Sequence, residues 1–129
     1  QRVAFASIIS METEMLIIDE PTSQLDPEGT RDVFAIIKTL KESNKTIILV
    51  EHKIDMIAEY CEEIIVMNEG SIAFSGPTHE VLGNPAIMDA GAMMPQSAIF
   101  GHAMAKAGKP LARIPITLSE AAEMVKERR

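Results

Sequence analysis

The sequence has little of what several large classes of protein require. Its 129 residues include a single cysteine, Cys61, which cannot form a disulfide within the chain and indicates a reducing compartment. Tryptophan is absent and aromatic residues make up only 4% of the chain, so aliphatic side chains must fill the core. No apolar stretch approaches the roughly 20 residues of a membrane span, and the first residues show no signal-peptide pattern, so we expect a soluble polypeptide.

Positive charge is also scarce. The 12 lysine and arginine residues are outnumbered by 19 acidic ones, which gives a net charge of −7 and an isoelectric point near 4.9. Without a basic stripe the protein has nothing to neutralise the phosphates of a nucleic acid, so we expect no nucleic-acid partner. The length allows one domain at most, and 47% hydrophobic residues are enough to give it a core.

Apolar runs in the first two thirds of the chain predict a sheet. Met15–Asp19 and Thr46–Val50 each contain four consecutive apolar residues, which is typical of strands buried on both faces. Residues 64–67 predict a third strand, and residues 71–75 return beside it as a hairpin. Strands that alternate with helices predict an α/β fold with a parallel sheet and helical crossovers.

Helices are predicted between these strands and before the first of them. Asp26 is suited to cap a helix that Pro27 begins, and apolar residues then recur at helical spacing: Val33, Ile36, Ile37 and Leu40. A short helix follows His52. Residues 1 to about 11 lack helix breakers and predict a helix that is already under way at the first residue.

The character of the chain changes at about Asn84, where prolines and glycines begin to punctuate two helical stretches. Thr117 and Glu120 match a capping box at the start of the last helix. The predicted apolar stripes comprise Phe100, Ala103, Met104 and Ala107 in the first helix, and Leu118, Ala121, Ala122 and Val125 in the second. We expect this segment to be an appendage separate from the sheet, and we expect His79 and His102 to be surface residues.

Two carboxylates stand where the first strand ends. Asp19 and Glu20 directly follow an apolar run. Residues 21–27, which come next, are Pro-Thr-Ser-Gln-Leu-Asp-Pro. In an open α/β sheet, ligands bind at the carboxyl ends of the strands, so an acid pair there suits a site that holds a metal and a base. The whole segment resembles the Walker B motif and D-loop of ATP-binding-cassette (ABC) ATPases. The resemblance implies that Asp19 binds Mg²⁺ through water, with ATP as the nucleotide, and that Glu20 is the general base of hydrolysis.

Other site residues follow from the same resemblance. His52 comes one residue after the second strand, in the place of the family's switch histidine near the terminal phosphate. Ser23 and Asp26 belong to the D-loop, which in this family contacts the nucleotide site of a second ATPase subunit in a homo- or heterodimer. Gln24 stands where the family more often has glycine or alanine, a departure that affects contacts between subunits and not the chemistry of Glu20.

Several parts of such an ATPase are missing from the sequence. It contains no Gly-x-x-x-x-Gly-Lys-Ser/Thr, the loop that cradles phosphates, and residues 1–4 resemble the segment that directly follows the absent LSGGQ signature. The glutamine loop that contacts the transporter is also missing. We interpret residues 1–83 as the C-terminal half of a P-loop nucleotide-binding domain, with part of its mixed sheet and flanking helices. Residues 84–129 are then a small helical C-terminal appendage that we expect to act in dimerisation, and the chain alone should be inactive and self-associate.

The branch of the family is narrowed by the hairpin and the tail. The Glu69–Ile72 turn followed by Gly76-Pro77 is typical of transport ATPases, and residues 94–121 resemble the tail of energy-coupling-factor and cobalt-type importer ATPases. This implies an ATPase at the inner face of the cell membrane that works with a transmembrane subunit to import a vitamin or metal ion. Two alternatives stay open: a non-enzymatic interaction or dimerisation module, and a non-transport ATPase of the repair type.

Overall fold

The computed structural model describes residues 13–128, and the helix predicted at residues 1–11 lies outside that range. The chain divides into two units, of which the first ends at His52 and the second begins at Lys53. The division therefore falls at a different place from the predicted boundary between residues 83 and 84. Each unit is described by itself below.

The first unit contains two strands and the helix that connects them. Strand β1 (Met15–Asp19) pairs in parallel with β2 (Thr46–Val50), and Asp19 lies opposite Val50 in the register. Helix α1 (Pro27–Glu42) makes the crossover, as the sequence predicted. Its cap is also confirmed, since the Asp26 side chain accepts a hydrogen bond of 2.7 Å from the Gly29 N–H. The helix buries Thr30, Val33, Phe34, Ile37 and Leu40.

The prediction that both strands are buried on both faces is wrong for the described part of the chain. Leu16 and Ile18 are buried, whereas Ile17, which points to the opposite face, is 71% exposed. Strand β2 alternates in the same way. Successive strand side chains point to opposite faces, and the described part of this unit has one helix to pack against them, so only one face is covered.

The second unit begins with helix α2 (Ile54–Tyr60) and continues with strands β3 (Glu63–Asn68) and β4 (Ser71–Pro77). The two strands form the predicted antiparallel hairpin, whose turn at Glu69 and Gly70 has positive φ at both residues. Strand β3 does not extend the parallel sheet as predicted. Among residues 13–128 the strands form two separate two-stranded sheets, β1–β2 and β3–β4.

The remaining helices of this unit are short. They are α3 (Thr78–Leu82), a 3₁₀ helix (Pro85–Ala90), α4 (Gln96–Lys106) and α5 (Leu118–Lys126). One apolar cluster joins residues on both sides of position 83: Ala58, Val81, Leu82, Ile87, Met94, Ala98 and Ile116. The 3₁₀ helix also contacts both hairpin strands, so the expected separation of the C-terminal segment from the sheet is not seen in the packing.

The predicted faces of the last two helices are only partly right. Helix α4 buries Ser97, Ala98 and Gly101, while Phe100 on its predicted stripe is 40% exposed. Helix α5 buries Ala121 as predicted but leaves Leu118 81% exposed. These helices therefore pack through small residues and leave larger apolar ones at the surface.

Polar contacts order the C-terminal segment. Thr117 Oγ1 accepts a hydrogen bond from the Glu120 N–H at 3.3 Å, which confirms the capping residue, and the Glu120 carboxylate accepts from the Ile116 N–H at 2.8 Å. The two histidines predicted at the surface are instead in contact with protein groups. His102 Nε2 lies 2.9 Å from the Gly83 carbonyl oxygen, and His79 Nε2 lies 3.7 Å from a Glu120 oxygen. None of the helices among residues 13–128 is long and apolar enough to cross a bilayer.

Candidate functional site

The carboxyl ends of β1 and β2 bring the predicted acid and histidine together. Because the two strands are parallel and Asp19 lies opposite Val50, the segments that follow them leave the sheet at the same edge. Glu20 Oε1 lies 3.8 Å from His52 Nδ1, and the two side chains are 54% and 63% exposed. Asp19 is exposed at the same edge. The geometry gives a carboxylate and an imidazole in contact and open to a ligand.

The backbone of Glu20 is constrained at this point. Its N–H donates to the Val50 carbonyl oxygen at 2.8 Å, which continues the pairing of the two strands by one residue. Its own carbonyl oxygen accepts from the Ser23 N–H at 3.3 Å. With φ at 42°, Glu20 occupies the left-handed region that non-glycine residues rarely adopt. The chain therefore turns sharply at Glu20, directly after Asp19.

A third acid, Glu51, was not singled out in the sequence. Its side chain is fully buried, with an exposed fraction of 0%. One carboxylate oxygen accepts from the hydroxyl of the equally buried Thr22, and the other accepts from the His52 N–H at 3.0 Å. That second oxygen also lies 3.6 Å from His52 Nδ1. The two carboxylates of Glu20 and Glu51 thus lie near the same imidazole nitrogen.

The alternation of side-chain directions along β2 indicates which face Glu51 lies on. Ile47 and Leu49 point to the covered face of the strand, and continuing by two residues places Glu51 on that face too. The sequence shows that an acidic residue directly precedes His52, but it does not show that the side chain of this residue is buried. The hydrogen bond from Thr22 depends on the turn at residues 21–24 and had no counterpart in the sequence pattern.

The two residues predicted in the D-loop have different local roles. Ser23 is exposed, and its N–H closes the turn onto the Glu20 carbonyl oxygen. Asp26 is exposed as well, but one of its carboxylate oxygens is engaged by the Gly29 N–H as the cap of α1. Their contact with a second subunit stays a prediction.

The acids do not form a protein-only metal site. Among residues 13–128, no group of three or more histidine, cysteine or acidic side chains is placed to hold a metal ion. Magnesium usually keeps several waters and takes further oxygens from the phosphates of its nucleotide, so one carboxylate such as Asp19 is enough to fit that role. The side chains at this edge therefore suit binding of the magnesium ion and of the attacking water. The loop that would bind the phosphates is absent from residues 1–129.

Curated relatives cover nearly all of this chain. It is 34% identical over 129 residues to the energy-coupling factor transporter ATP-binding protein EcfA2 of Latilactobacillus sakei subsp. sakei (strain 23K), with 98% of this chain and 44% of that protein covered. The protein of the same name from Streptococcus pyogenes serotype M5 (strain Manfredo) is 33% identical over 127 residues, with 98% and 45% covered. The chain thus spans less than half the length of these relatives. No family model matches the sequence.

Solved structures show the same likeness. CbiO1 of Clostridium perfringens, described as part of the ABC transporter complex CbiONQ, is 37% identical with a TM-score of 0.57 and covers 68% of this chain, which spans 36% of CbiO1. An ATP-binding cassette of an ABC transporter in its ADP conformation is 27% identical with a TM-score of 0.53, and the likeness covers 60% of this chain and 32% of that one.

Motif, strand pairing and these likenesses agree on one family. The predicted resemblance is confirmed, and so is the fold class, because the solved neighbours are P-loop domains of ABC ATPases. The chain is a homologue of the C-terminal part of ABC transporter ATP-binding subunits such as EcfA2 of energy-coupling factor transporters and CbiO1 of the complex CbiONQ.

Proposed function

We propose that this chain supplies the hydrolytic side of the ATP site in a transporter ATPase. The observation that carries the proposal is the parallel pairing of β1 and β2, which holds Glu20 Oε1 3.8 Å from His52 Nδ1 at the edge where nucleotides bind in α/β sheets. The relatives support the same assignment, since they are transporter ATP-binding proteins.

Each residue at the edge has a distinct task in this mechanism. Glu20 accepts the proton of the attacking water, a role that suits an exposed carboxylate. His52 lies beside the phosphate that is being transferred and keeps Glu20 oriented. Asp19 would hold Mg²⁺. When bound, the magnesium ion neutralises charge on the β- and γ-phosphates.

The remaining parts of the site lie outside this sequence. We infer that a phosphate-binding loop with its lysine comes from a further segment of the full-length protein, since the relatives are more than twice as long as their matching part. Without that loop the chain should not bind ATP tightly or hydrolyse it.

The proposal includes two protein partners and a location. The D-loop residues Ser23 and Asp26 contact a second ATPase subunit, either another copy or a related chain. A transmembrane subunit takes up the energy of hydrolysis, which places the protein peripherally at the cytoplasmic face of the membrane. CbiO1 is part of the transporter complex CbiONQ, and EcfA2 is an energy-coupling factor transporter ATP-binding protein. We therefore propose that the transported substrate is a vitamin or metal ion taken into the cell.

The test is Glu20→Gln in the full-length protein. The change keeps the size of the side chain and removes its basicity, so kcat for ATP hydrolysis should fall by roughly 100-fold or more. The KM for ATP should change little, because Glu20 acts on water rather than on the nucleotide. Steady-state phosphate release measures both constants.

A matched control is Glu59→Gln, which makes the same chemical change on an exposed residue of α2. Its turnover should equal that of the wild type. Unchanged turnover in Glu20→Gln would remove Glu20 from the role of base and, with it, the proposed site.

A further inference from the structure

We propose that Glu51 is a positioning residue that fixes the imidazole of His52 and the turn that follows Glu20. The inference rests on the proposed function, because it assigns how the two exposed residues of that site are held in place. Glu51 itself is buried and touches neither nucleotide nor water in this assignment.

The first step is the burial of a carboxylate. Glu51 has no exposed side-chain area, and removing a carboxylate from water is costly unless hydrogen bonds and nearby charge compensate for it. The structure supplies donors to both oxygens, the Thr22 hydroxyl on one and the His52 N–H on the other. A buried carboxylate that accepts two hydrogen bonds has little freedom to move, so it can hold the residues around it in place.

The second step is the ring of His52. One Glu51 oxygen lies 3.6 Å from Nδ1. A carboxylate beside one ring nitrogen favours the tautomer with its proton on that nitrogen, and this sets the role of the other nitrogen. Glu51 therefore places the proton of neutral His52 on Nδ1 and leaves Nε2 as the acceptor.

The third step is the turn after β1. Thr22 donates its hydroxyl to Glu51, and its carbonyl oxygen accepts from the Leu25 N–H at 3.2 Å. The same turn is closed by the bond from the Ser23 N–H to the Glu20 carbonyl oxygen. Glu51 thus connects the end of β2 with the turn that orients Glu20, so one buried side chain holds both members of the Glu20–His52 pair.

The decisive measurement is the tautomer of His52 in the wild-type full-length protein. Long-range ¹H–¹⁵N spectra of the imidazoles distinguish a protonated from an unprotonated ring nitrogen, and the loss of one set of signals in His52→Gln assigns them. We expect Nδ1 to carry the proton of the neutral ring. An Nε2-protonated ring, the form that dominates in an unconstrained histidine, would overturn the proposal.

Glu51→Met removes both acceptor oxygens at nearly constant length. In this variant the His52 signals should move toward the Nε2-protonated form, while those of His79 and His102 stay in place as internal references. In Glu20→Gln the tautomer should remain as in the wild type. A His52 spectrum that does not respond to Glu51→Met would contradict the assignment.

Kinetics of the same variants separate this inference from the proposed function. Misplacing Glu20 and His52 should lower kcat roughly 10- to 100-fold in Glu51→Met with little change in KM, since Glu51 does not touch the nucleotide. If Glu20→Gln abolishes turnover and Glu51→Met leaves kcat unchanged, only the positioning role fails. If turnover survives Glu20→Gln, the proposed function itself fails.

Discussion

Glu20 combines the side chain proposed as general base with a backbone conformation that most residues disfavour. Its φ of 42° lies in the left-handed region, which costs a residue with a Cβ about 1 kcal/mol or more relative to glycine. Glu20→Gly should therefore unfold at a higher urea concentration than Glu20→Ala, with a difference of about 1 kcal/mol in the free energy of unfolding. Both variants lose the carboxylate, so the comparison isolates the backbone.

A second left-handed residue provides the control. Asn44 has a φ of 59°, and asparagine tolerates this region better than most residues do. Asn44→Gly should change the free energy of unfolding by less than the difference between the two Glu20 variants. A Glu20→Ala protein as stable as Glu20→Gly would show that no strain is stored at Glu20.

The pairing of Glu20 with His52 could be predicted from the sequence, because parallel strands deliver the residues that follow them to one edge of a sheet. The structure confirms that proximity. Glu51 and Thr22 could not be predicted in the same way. Their bond depends on the burial of a charged side chain and on the geometry of a turn, neither of which hydrophobic periodicity records.

Helix α4 shows what decides packing at the scale of an element. Gly101 faces Pro115 so closely that a Cβ on the glycine would lie 2.6 Å from the proline Cδ. Gly101→Ala should therefore push the helix away from this segment and lower the free energy of unfolding by about 1–3 kcal/mol, although alanine is the better helix former. Urea or thermal unfolding of the chain measures the change.

The control lies on the exposed side of the same helix. Ala105 is exposed, so Ala105→Ser should change the free energy of unfolding by no more than about 0.5 kcal/mol. Stabilisation by Gly101→Ala would mean that helix propensity outweighs the close approach to Pro115, and the packing described for α4 would be wrong.

The sequence predicted the positions of the helices and strands better than it predicted which of their faces are buried. Strand β1, the capped helix α1, strand β2 and the hairpin appear where apolar period and turn residues predicted them. The face of α4 was misassigned because a stripe is recognised by its large apolar residues, such as Phe100. The helix instead buries the small residues Ala98 and Gly101, and the close approach to Pro115 requires glycine at position 101.

In the described part of the chain, the β1–β2 sheet leaves one apolar face exposed to solvent. Ile17 and Ile48 are direct neighbours across the β1–β2 pair, and they are 71% and 47% exposed on the same face. Contiguous exposed apolar residues favour association. The double substitution Ile17→Thr and Ile48→Thr should weaken self-association of this chain at least roughly tenfold, as measured by sedimentation.

Leu118→Thr is the matched control, because Leu118 is 81% exposed but lies on α5 and not on the β1–β2 face. It should leave self-association unchanged. An equal effect of the control and the double variant, or a chain that is monomeric from the start, would show that this face does not drive association. In the full-length protein we expect the β1–β2 face to be covered, so the double variant should be destabilised there.

One measurement tests the central assignment most directly: the structure of the full-length Glu20→Gln variant with ATP and Mg²⁺. We predict that Asp19 lies at the metal and that His52 and the side chain at position 20 lie beside the terminal phosphate. A nucleotide bound away from the carboxyl ends of β1 and β2 would contradict it.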